Sequence, residues 1–329
     1  MTVLVTGATG FIGRRLLERL TADGVRVRAL YRRAAGTDHP LIEWRQVARL
    51  HDPEEVAPLL AGVDTVLHLA GLAHQTGKAG EGRWQEFQLA NATVTRVLAE
   101  ASAVASVRRF VYISSIAVMG TSSELPLNAS MTANPQTDYG RSKLEGEVEL
   151  ERALRSSQTD WCILRPPVVY GPSNPGNMQR LLRLIATGLP LPLGAIHNRR
   201  SFMFIDNLVD AIVAVMRAGG PIRGRFIVGD GTDLSTPDLV RALALANNRP
   251  VKLVAVPVFL LRALALCADV VGKVTGKSLP FDSYSVDRLR ESLPVDPVPF
   301  SARFAWHPPV KTSRALEITC QSLEEAGST

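Results

Sequence analysis

Short apolar runs alternate with longer amphipathic segments along the first half of the chain. The run TVLVT (2–6) is continuously apolar and rich in β-branched residues, which is typical of a buried parallel strand. The segment 7–24 opens with a glycine-rich turn, then carries apolar residues at helical spacing and ends at Gly24. A second strand-like run, VRVRALY (25–31), follows at once. The chain is therefore predicted to begin with a strand–turn–helix–strand unit.

Three later apolar runs are predicted as further strands, at 64–71, 109–115 and 160–167. A helix is predicted between the first two of these runs, from about Trp84 to Ala105. Strands separated by helices in this rhythm form a doubly wound parallel sheet. We therefore predict an α/β fold of the Rossmann type, in which ligands bind beyond the carboxyl ends of the strands.

The turn after the first strand contains three glycines, Gly7, Gly10 and Gly13, in the sequence GATGFIG. Because these residues lack side chains, backbone N–H groups and the amino terminus of the following helix can approach a pyrophosphate. Glycines also suit ordinary turns. In a strand–turn–helix context, however, the spacing indicates dinucleotide binding.

The residue that closes the second strand distinguishes the two nicotinamide dinucleotides. An acid at this place binds the ribose 2′-hydroxyl of NAD, whereas an arginine accepts the 2′-phosphate of NADP. Here the strand runs into Tyr31, Arg32 and Arg33, and the first acid is Asp38. The alternative is two solvated arginines after a strand. The sequence favours NADP as cofactor and leaves NAD open.

Candidate catalytic side chains follow the 109–115 strand, where ISSIAVMG places Ser115 at the carboxyl edge of the sheet. In DYGRSK, Tyr139 and Lys143 are four residues apart and share one face of a helix. A lysine ammonium and an oxidised nicotinamide beside the phenol favour the phenolate. Such a tyrosine exchanges a proton with a carbinol oxygen while hydride moves at carbon, and Ser115 holds that oxygen by a hydrogen bond.

Composition argues against several other classes of protein. The net charge is +6, but the arginine pairs are scattered, so no nucleic-acid partner is predicted. The six histidines show no ligand spacing, so no metal site is predicted. The three cysteines form no CxxC pair and suit reduced thiols in a cytoplasm. The apolar stretch 253–271 contains Arg262 and Asp269 and is interrupted by Pro257, so no stable membrane span is expected.

Over nearly its whole length the chain resembles the extended short-chain dehydrogenases/reductases that act on nucleotide sugars. TGATGFIG, HLAG, ISSIAVMG, YGRSK and LRPPVVYGP match that family's motifs in order. The resemblance implies that Ser115 is the catalytic hydroxyl residue, Tyr139 the acid/base and Lys143 its partner. With Arg32 and Arg33 included, the residues expected to bind the cofactor are Gly7, Gly10, Phe11, Ile12, Gly13, Arg32, Arg33, Leu69, Ala70, Gly71, Asn91, Tyr139, Lys143 and Pro166.

The same resemblance bears on the reaction. Sugar 4,6-dehydratases of the family carry Asp-Glu directly after the catalytic hydroxyl residue, but Ile116 and Ala117 occupy those places here. Dehydration is therefore not expected, which leaves oxidation, reduction or epimerisation at a carbinol. The chain also departs from the family's RPxNVYGP, because Val168 replaces the asparagine.

A UDP-sugar is the implied substrate. By resemblance, Ser115, Asn177, Arg200 and Arg288 are the substrate-binding residues, with Arg200 placed to bind the diphosphate. A salt bridge from Arg200 to Asp206 or Asp210 is the alternative. Residues 1–172, with parts of 200–235, are assigned to the dinucleotide-binding domain. Residues 173–199 and 236–329 are assigned to a smaller, discontinuous C-terminal substrate lobe.

Within the family, LPLGAIHNRRS, VGDGTDLSTPDL and FAWHPPV most resemble 4-ketoreductases of bacterial surface-polysaccharide synthesis. These reduce UDP-4-keto-6-deoxy-N-acetylglucosamine at carbon 4, and the expected activity is therefore an NADP-dependent oxidoreductase. The alternatives are an NAD-retaining UDP-sugar 4-epimerase and a non-catalytic dinucleotide-sensing protein. A homodimer through the helices that carry Asn91 and Tyr139 is the expected assembly.

Overall fold

Seven parallel strands form one sheet at the centre of the protein. The structure, a computed structural model, describes residues 1–72, 83–174, 177–257, 259–263 and 289–327, with side chains for all of these except 177 and 323–327. The strands lie in the spatial order third, second, first, fourth, fifth, sixth, ninth. They are β1 (Thr2–Thr6), β2 (Arg26–Tyr31), β3 (Ile42–Gln46), β4 (Thr65–His68), β5 (Arg109–Ile113), β6 (Asp160–Arg165) and β9 (Arg223–Ile227).

A second, three-stranded sheet lies beside the carboxyl edge of the first. It pairs β7 (Val168–Tyr170) in parallel with β8 (Arg200–Phe204), and β8 antiparallel with β10 (Asp233–Leu234). The described helices are α1 (Phe11–Ala22), α2 (Pro53–Val56), α3 (Trp84–Phe87), α4 (Val94–Val104), α5 (Asp138–Leu154), α6 (Asn177–Ala186), α7 (Ile205–Arg217), α8 (Thr236–Ala246), α9 (Val298–Phe304) and α10 (Thr312–Gly327).

Alternate residues of the strands fill two separate cores, because successive side chains of a strand point to opposite faces. Val3 and Val5 of β1 pack with α1 and α7 on one face. Leu4 packs with α4 and α5 on the other face. Both faces of the large sheet are thus covered by helices, and the predicted Rossmann-type α/β fold is confirmed.

A third core holds the smaller sheet together with α6, α8 and α10. The side chain of Phe11, at the start of α1, packs against this third core. The amino terminus of α1 is therefore in contact with both the large sheet and the smaller lobe. Within the described ranges, every helix is too short or too polar to span a bilayer.

The helix predicted from Trp84 to Ala105 is interrupted. Six residues, 88–93, form a single wide π-helical stretch between α3 and α4, and this stretch includes Asn91. π-Helical insertions of this kind are frequent at functional sites. Here the insertion brings Asn91 to the carboxyl edge of the sheet, where it meets the segment that follows β4.

Candidate active site

The glycine turn between β1 and α1 forms a cradle of bare backbone. Gly7 has a φ of +68°, and a Cβ atom there would lie 2.7 Å from the backbone nitrogen of Ala70. A Cβ at Gly13 would lie 2.1 Å from the carbonyl oxygen of Gly7. Gly10 caps α1 without a side-chain hydrogen bond, so the first N–H groups of the helix are left to an external acceptor. This arrangement fits a dinucleotide pyrophosphate.

A buried hydrogen-bond chain connects this turn to the helix that carries Asn91. Thr6 Oγ1 accepts from the N–H of Ala70 (3.0 Å) and lies 2.7 Å from Nδ1 of His68. The other ring nitrogen, Nε2, lies 3.0 Å from Oγ1 of Thr95, which donates to the carbonyl of Asn91 (2.6 Å). Burial lowers the pKa of His68 to about 3, so the ring is neutral.

The loop after β4 closes tightly on Asn91 and Lys143. Asn91 accepts from the N–H of Leu72 through Oδ1 (2.9 Å), and its Nδ2 donates to Oγ of Ser142 (3.0 Å). A Cβ at Gly71 would lie 2.5 Å from Asn91 Oδ1 and 3.1 Å from Lys143 Nζ. A side chain at position 71 would therefore displace Asn91, and glycine lets this segment lie directly beside Asn91 and the lysine.

Ser115 and Tyr139 meet where β5 ends and α5 begins. Ser115 is partly exposed, and its Oγ accepts from the N–H of Ala117 (3.2 Å), which caps the single turn Ile116–Val118. A Cβ at Gly140 would lie 2.5 Å from the carbonyl oxygen of Ala117, so the first turn of α5 packs directly on this segment. The phenol of Tyr139 is hydrogen-bonded to Ser115.

The pKa of the Tyr139 phenol is raised by burial, and the hydrogen bond with Ser115 opposes that rise. The expectation that Lys143 and an oxidised nicotinamide together favour the phenolate stays a prediction. The Lys143 ammonium has other neighbours as well: Nζ donates to the carbonyl of Ile113 (3.0 Å) and lies 4.8 Å from the ring centre of Tyr112. Burial lowers the pKa of Lys143 itself to about 8.

Arg32 and Arg33 lie directly after β2, beside the glycine turn that follows β1. Both are exposed. On the neighbouring strand β3, Glu43 binds Arg28 and Arg45. Within the part of the chain that the structure describes, neither Arg32 nor Arg33 forms an ion pair.

The expected substrate residues are only partly described. Arg200 opens β8. Asp206 and Asp210 of α7 form ion pairs with Arg15 and Arg19. Asn177 is the first residue of α6. Arg288 lies outside the described residues.

The remaining expected contacts are backbone positions around the cradle. Phe11 and Ile12 open α1, Leu69 and Ala70 follow β4, and the buried Pro166 follows β6. The carbonyl of Pro166 accepts from the N–H of Ile116 (2.9 Å), which ties the turn after Ser115 to β6.

Sequence reasoning missed His68 and Glu147. His68 stands in the HLAG motif, but a strand-end pattern does not reveal what an imidazole contacts. Glu147 follows Lys143 by four residues and is fully buried. An acid at that spacing was a visible signal, since it shares the helix face of Tyr139 and Lys143. In the described part of the chain, no three or more His, Cys, Asp or Glu side chains are grouped to hold a metal.

Comparison with known proteins identifies the family. The model of the NAD dependent epimerase/dehydratase family matches residues 3–229. The UDP-glucose 4-epimerase of Vibrio cholerae is 32% identical over 332 residues, covering 99% of this chain and 97% of that protein. An Escherichia coli O157:H7 protein, N-acetyl-alpha-D-glucosaminyl-diphospho-ditrans,octacis-undecaprenol 4-epimerase, is 28% identical, with 87% and 85% covered.

Solved structures show the same fold. The UDP-glucuronic acid 4-epimerase of Bacillus cereus in complex with NAD superposes with a TM-score of 0.76 at 21% identity, over 99% of both chains. The UDP-glucose 4-epimerase of Thermus thermophilus, also in complex with NAD, gives 0.75 at 23% identity over 99% of this chain and 100% of that one. With its glycine cradle, its Ser115–Tyr139 contact and the family match over most of its length, the chain belongs to the NAD-dependent epimerase/dehydratase family of enzymes, with a nicotinamide adenine dinucleotide as cofactor.

Proposed function

We propose that the protein is an NADP-dependent oxidoreductase acting at carbon 4 of a UDP-sugar. The specific reaction is the reduction of UDP-4-keto-6-deoxy-N-acetylglucosamine to UDP-N-acetylquinovosamine. The observation that carries the choice of cofactor is the end of β2, where Arg32 and Arg33 are exposed and unpaired among the described residues. Such arginines suit a 2′-phosphate, and no acid stands there to bind a 2′-hydroxyl.

The chain's own groups perform the proton chemistry of this reaction. A bound dinucleotide supplies the hydride. Tyr139, whose pKa is raised by burial, is protonated at neutral pH and donates its proton to the oxygen of the C4 carbonyl. Ser115 donates a hydrogen bond to the same oxygen and orients it. Ile116 and Ala117 offer no proton-transferring group, which is consistent with reduction without dehydration.

The diphosphate of the substrate would be bound by Arg200, with Arg288 as a second contact and Asn177 beside the base. A guanidinium binds phosphate oxygens in a bidentate manner, which a lysine does not. Several relatives bear names of enzymes that act on UDP-sugars, including the Vibrio cholerae protein. This similarity supports a nucleotide sugar as the substrate class.

A UDP-sugar 4-epimerase that retains NAD is the second candidate. The full-length similarity to the Vibrio cholerae UDP-glucose 4-epimerase favours it. The same Ser115, Tyr139 and Lys143 would serve that reaction. Because all three are present, a non-catalytic sensing protein is disfavoured.

A homodimer and a cytoplasmic location remain predictions. The helices expected to form the dimer carry two partly exposed apolar side chains, Leu89 (43% exposed) and Val148 (41% exposed).

Coenzyme preference tests the proposal. NADPH and NADH are compared in the reduction of UDP-4-keto-6-deoxy-N-acetylglucosamine, using wild type and the double variant Arg32→Ala/Arg33→Ala. In the double variant we expect kcat/KM for NADPH to fall at least tenfold and kcat/KM for NADH to change less than threefold. The tenfold fall corresponds to a loss of about 1.4 kcal/mol of binding to the 2′-phosphate. Arg26→Ala is the matched control, because Arg26 is exposed at the opposite end of β2. Equal losses with both coenzymes would contradict the proposal, and conversion of UDP-glucose to UDP-galactose without added coenzyme would establish the second candidate.

A further inference from the structure

Glu147 is a buried acid on the helix that carries the catalytic pair. It lies on α5 one helical turn after Lys143 and two turns after Tyr139, so the three residues share a face. Its exposed fraction is 0%. A buried carboxylate is retained only where charged or hydrogen-bonding partners compensate its desolvation. Its partners therefore indicate what it does.

Those partners join the ends of two neighbouring strands. Oε1 of Glu147 accepts from Oγ of Ser114 (2.5 Å) and from Nε of Arg165 (2.9 Å), and Oε2 accepts from Nη2 of Arg165 (2.5 Å). Ser114 directly follows β5 and is the residue before Ser115. Arg165 is the last residue of β6. The carboxylate thus holds the strand end that presents Ser115.

Glu147 is also the acid that acts on Lys143. Burial lowers the pKa of Lys143, and the negative charge of Glu147, one turn further along the same helix face, opposes this effect. Nζ of Lys143 donates to the backbone carbonyl of Ile113, and Lys143 forms no ion pair with any of the described residues. Among the described residues, the charged or titratable groups around the lysine and its carboxylate lie on one helix and four strands. They are Tyr139, Glu147 and Glu151 on α5, the neutral His68 on β4, Tyr112 on β5, Arg165 at the end of β6 and Arg225 on β9.

We propose that Glu147 is a positioning residue for the reaction: it fixes the strand end that carries Ser115 and maintains the ammonium form of Lys143. The inference rests on the proposed roles of Ser115, Tyr139 and Lys143. Fixing the strand end and maintaining the ammonium form can be separated experimentally. Ser114 contributes only to fixing the strand end, since it is a neutral hydrogen-bond donor to the carboxylate.

The test compares the titration of Lys143 in four proteins. Lysine labelled with ¹³C at Cε is followed by NMR against pH, and the Lys143 signal is assigned by its loss in Lys143→Arg. We expect Glu147→Gln to lower the titration midpoint by about one pH unit, the size of shift that an opposite charge a few ångströms away produces. Ser114→Ala should leave the midpoint unchanged. Glu151→Gln is the matched control, because Glu151 lies one turn further along α5 and contacts the same Arg225.

The pH profile of the reduction gives the catalytic readout. On the alkaline side the rate falls as Tyr139 and Lys143 lose protons, and Glu147→Gln should move this fall to lower pH by the same amount. Ser114→Ala should lower kcat without moving the pH at which the rate falls. Glu147→Gln leaves the buried Arg165 without its partner, so Glu147→Gln/Arg165→Met is the second variant. It should recover melting temperature, and its Lys143 midpoint should lie above that of Glu147→Gln, because the positive charge of Arg165 is removed as well.

A Lys143 midpoint in Glu147→Gln equal to that of the wild type would overturn the inference. So would a Ser114→Ala variant with wild-type kcat. If the wild type shows no turnover of the 4-keto sugar, the proposed function fails by itself, and the lysine titration, which needs no substrate, still decides the role of Glu147.

Discussion

Tyr139 and Lys143 lie one helical turn apart, yet the structure gives their side chains different neighbours. Tyr139 bonds to Ser115 and packs edge-on against the ring of Phe87, with 6.1 Å between ring centres. Lys143 bonds to the carbonyl of Ile113. We therefore propose the phenol as the group that meets a substrate oxygen, with Lys143 as its charged neighbour on the same helix.

Removal of the phenol hydroxyl should abolish the reaction and spare the cofactor site. We expect Tyr139→Phe to lower kcat by about 10³-fold, because it removes a general acid. The NADPH dissociation constant should change by less than about threefold, since the glycine cradle is untouched. Steady-state rates and fluorescence titration with NADPH measure the two quantities. Retention of most of the wild-type rate would contradict the assigned role of Tyr139.

His68 predicts an acid-sensitive stability. Its folded pKa of about 3 lies below the ordinary value of 6.5, so between these values the unfolded chain takes up a proton that the folded protein does not. The stabilising contribution is complete above pH 6.5 and is lost as pH falls, by about 2 kcal/mol at pH 5.

Urea unfolding at pH 7.5 and pH 5.0 measures this loss. His68→Gln should lack it, whereas His307→Gln should keep it, because His307 is exposed. An equal pH dependence in wild type and His68→Gln would show that the imidazole is not neutral and buried as described.

At the scale of elements, the sequence predicts whether a segment is a strand or a helix better than whether a helix is continuous. The apolar pattern predicts β1 at 2–6, and the strand is observed at Thr2–Thr6. The helix predicted from Trp84 to Ala105 instead contains a π-helical stretch at 88–93. Its apolar spacing did not reveal this, because the insertion accompanies contacts of Asn91 with Leu72 and Ser142, which are distant in sequence.

In the candidate site, too, some properties follow from the sequence and others do not. The spacing of the glycines, Ser115, Tyr139 and Lys143 predicts their positions on a turn, after a strand and on a helix, and the structure places them there. The pKa direction of Tyr139 and the partners of His68 depend on burial and on which strands become neighbours. Those properties come from tertiary packing and have no local pattern.

The π-helical stretch is held against α5 at Gly146. A Cβ there would lie 2.5 Å from the carbonyl oxygen of Asn91 and 2.8 Å from the hydroxyl of Tyr112. We expect Gly146→Ala to lower the free energy of unfolding by about 1–3 kcal/mol through overpacking, and to weaken dinucleotide binding by displacing Asn91. Gly219→Ala is the control, since a Cβ at Gly219 meets nothing within 4 Å. Urea melts and dinucleotide titrations of both variants measure these effects, and matching results would contradict this account of the packing.

At the scale of the whole molecule, one carboxylate connects the smaller sheet to a helix of the large one. Asp230 accepts from the N–H of Phe204 (2.8 Å) and from Nδ2 of Asn207 (2.8 Å). Asn207 in turn bonds to the backbone of Val310 (2.9 Å). Asp230 thus lies where β8, α7 and the C-terminal segment meet.

Asp230 predicts a pH effect of the opposite sign to that of His68. Burial raises its pKa to about 6 from 3.8, so the folded protein takes up this proton first on acidification. The contribution of Asp230 to stability is complete below pH 3.8 and is lost as pH rises through 6. From pH 7.5 to pH 5 it increases stability by about 1 kcal/mol. Urea melts of wild type and Asp230→Asn should differ by this amount in their pH dependence, and parallel dependences would contradict the assignment.

The dinucleotide carried by the purified protein tests the central claim most directly. The protein is denatured, the released dinucleotide is identified and counted, and the native protein is titrated with NADPH. The proposed reductase exchanges its coenzyme at every turnover, so we predict far less than one released NAD per chain and a saturable site for NADPH. Stoichiometric NAD, released only on denaturation, would contradict the reductase and identify an enzyme that regenerates its cofactor in place.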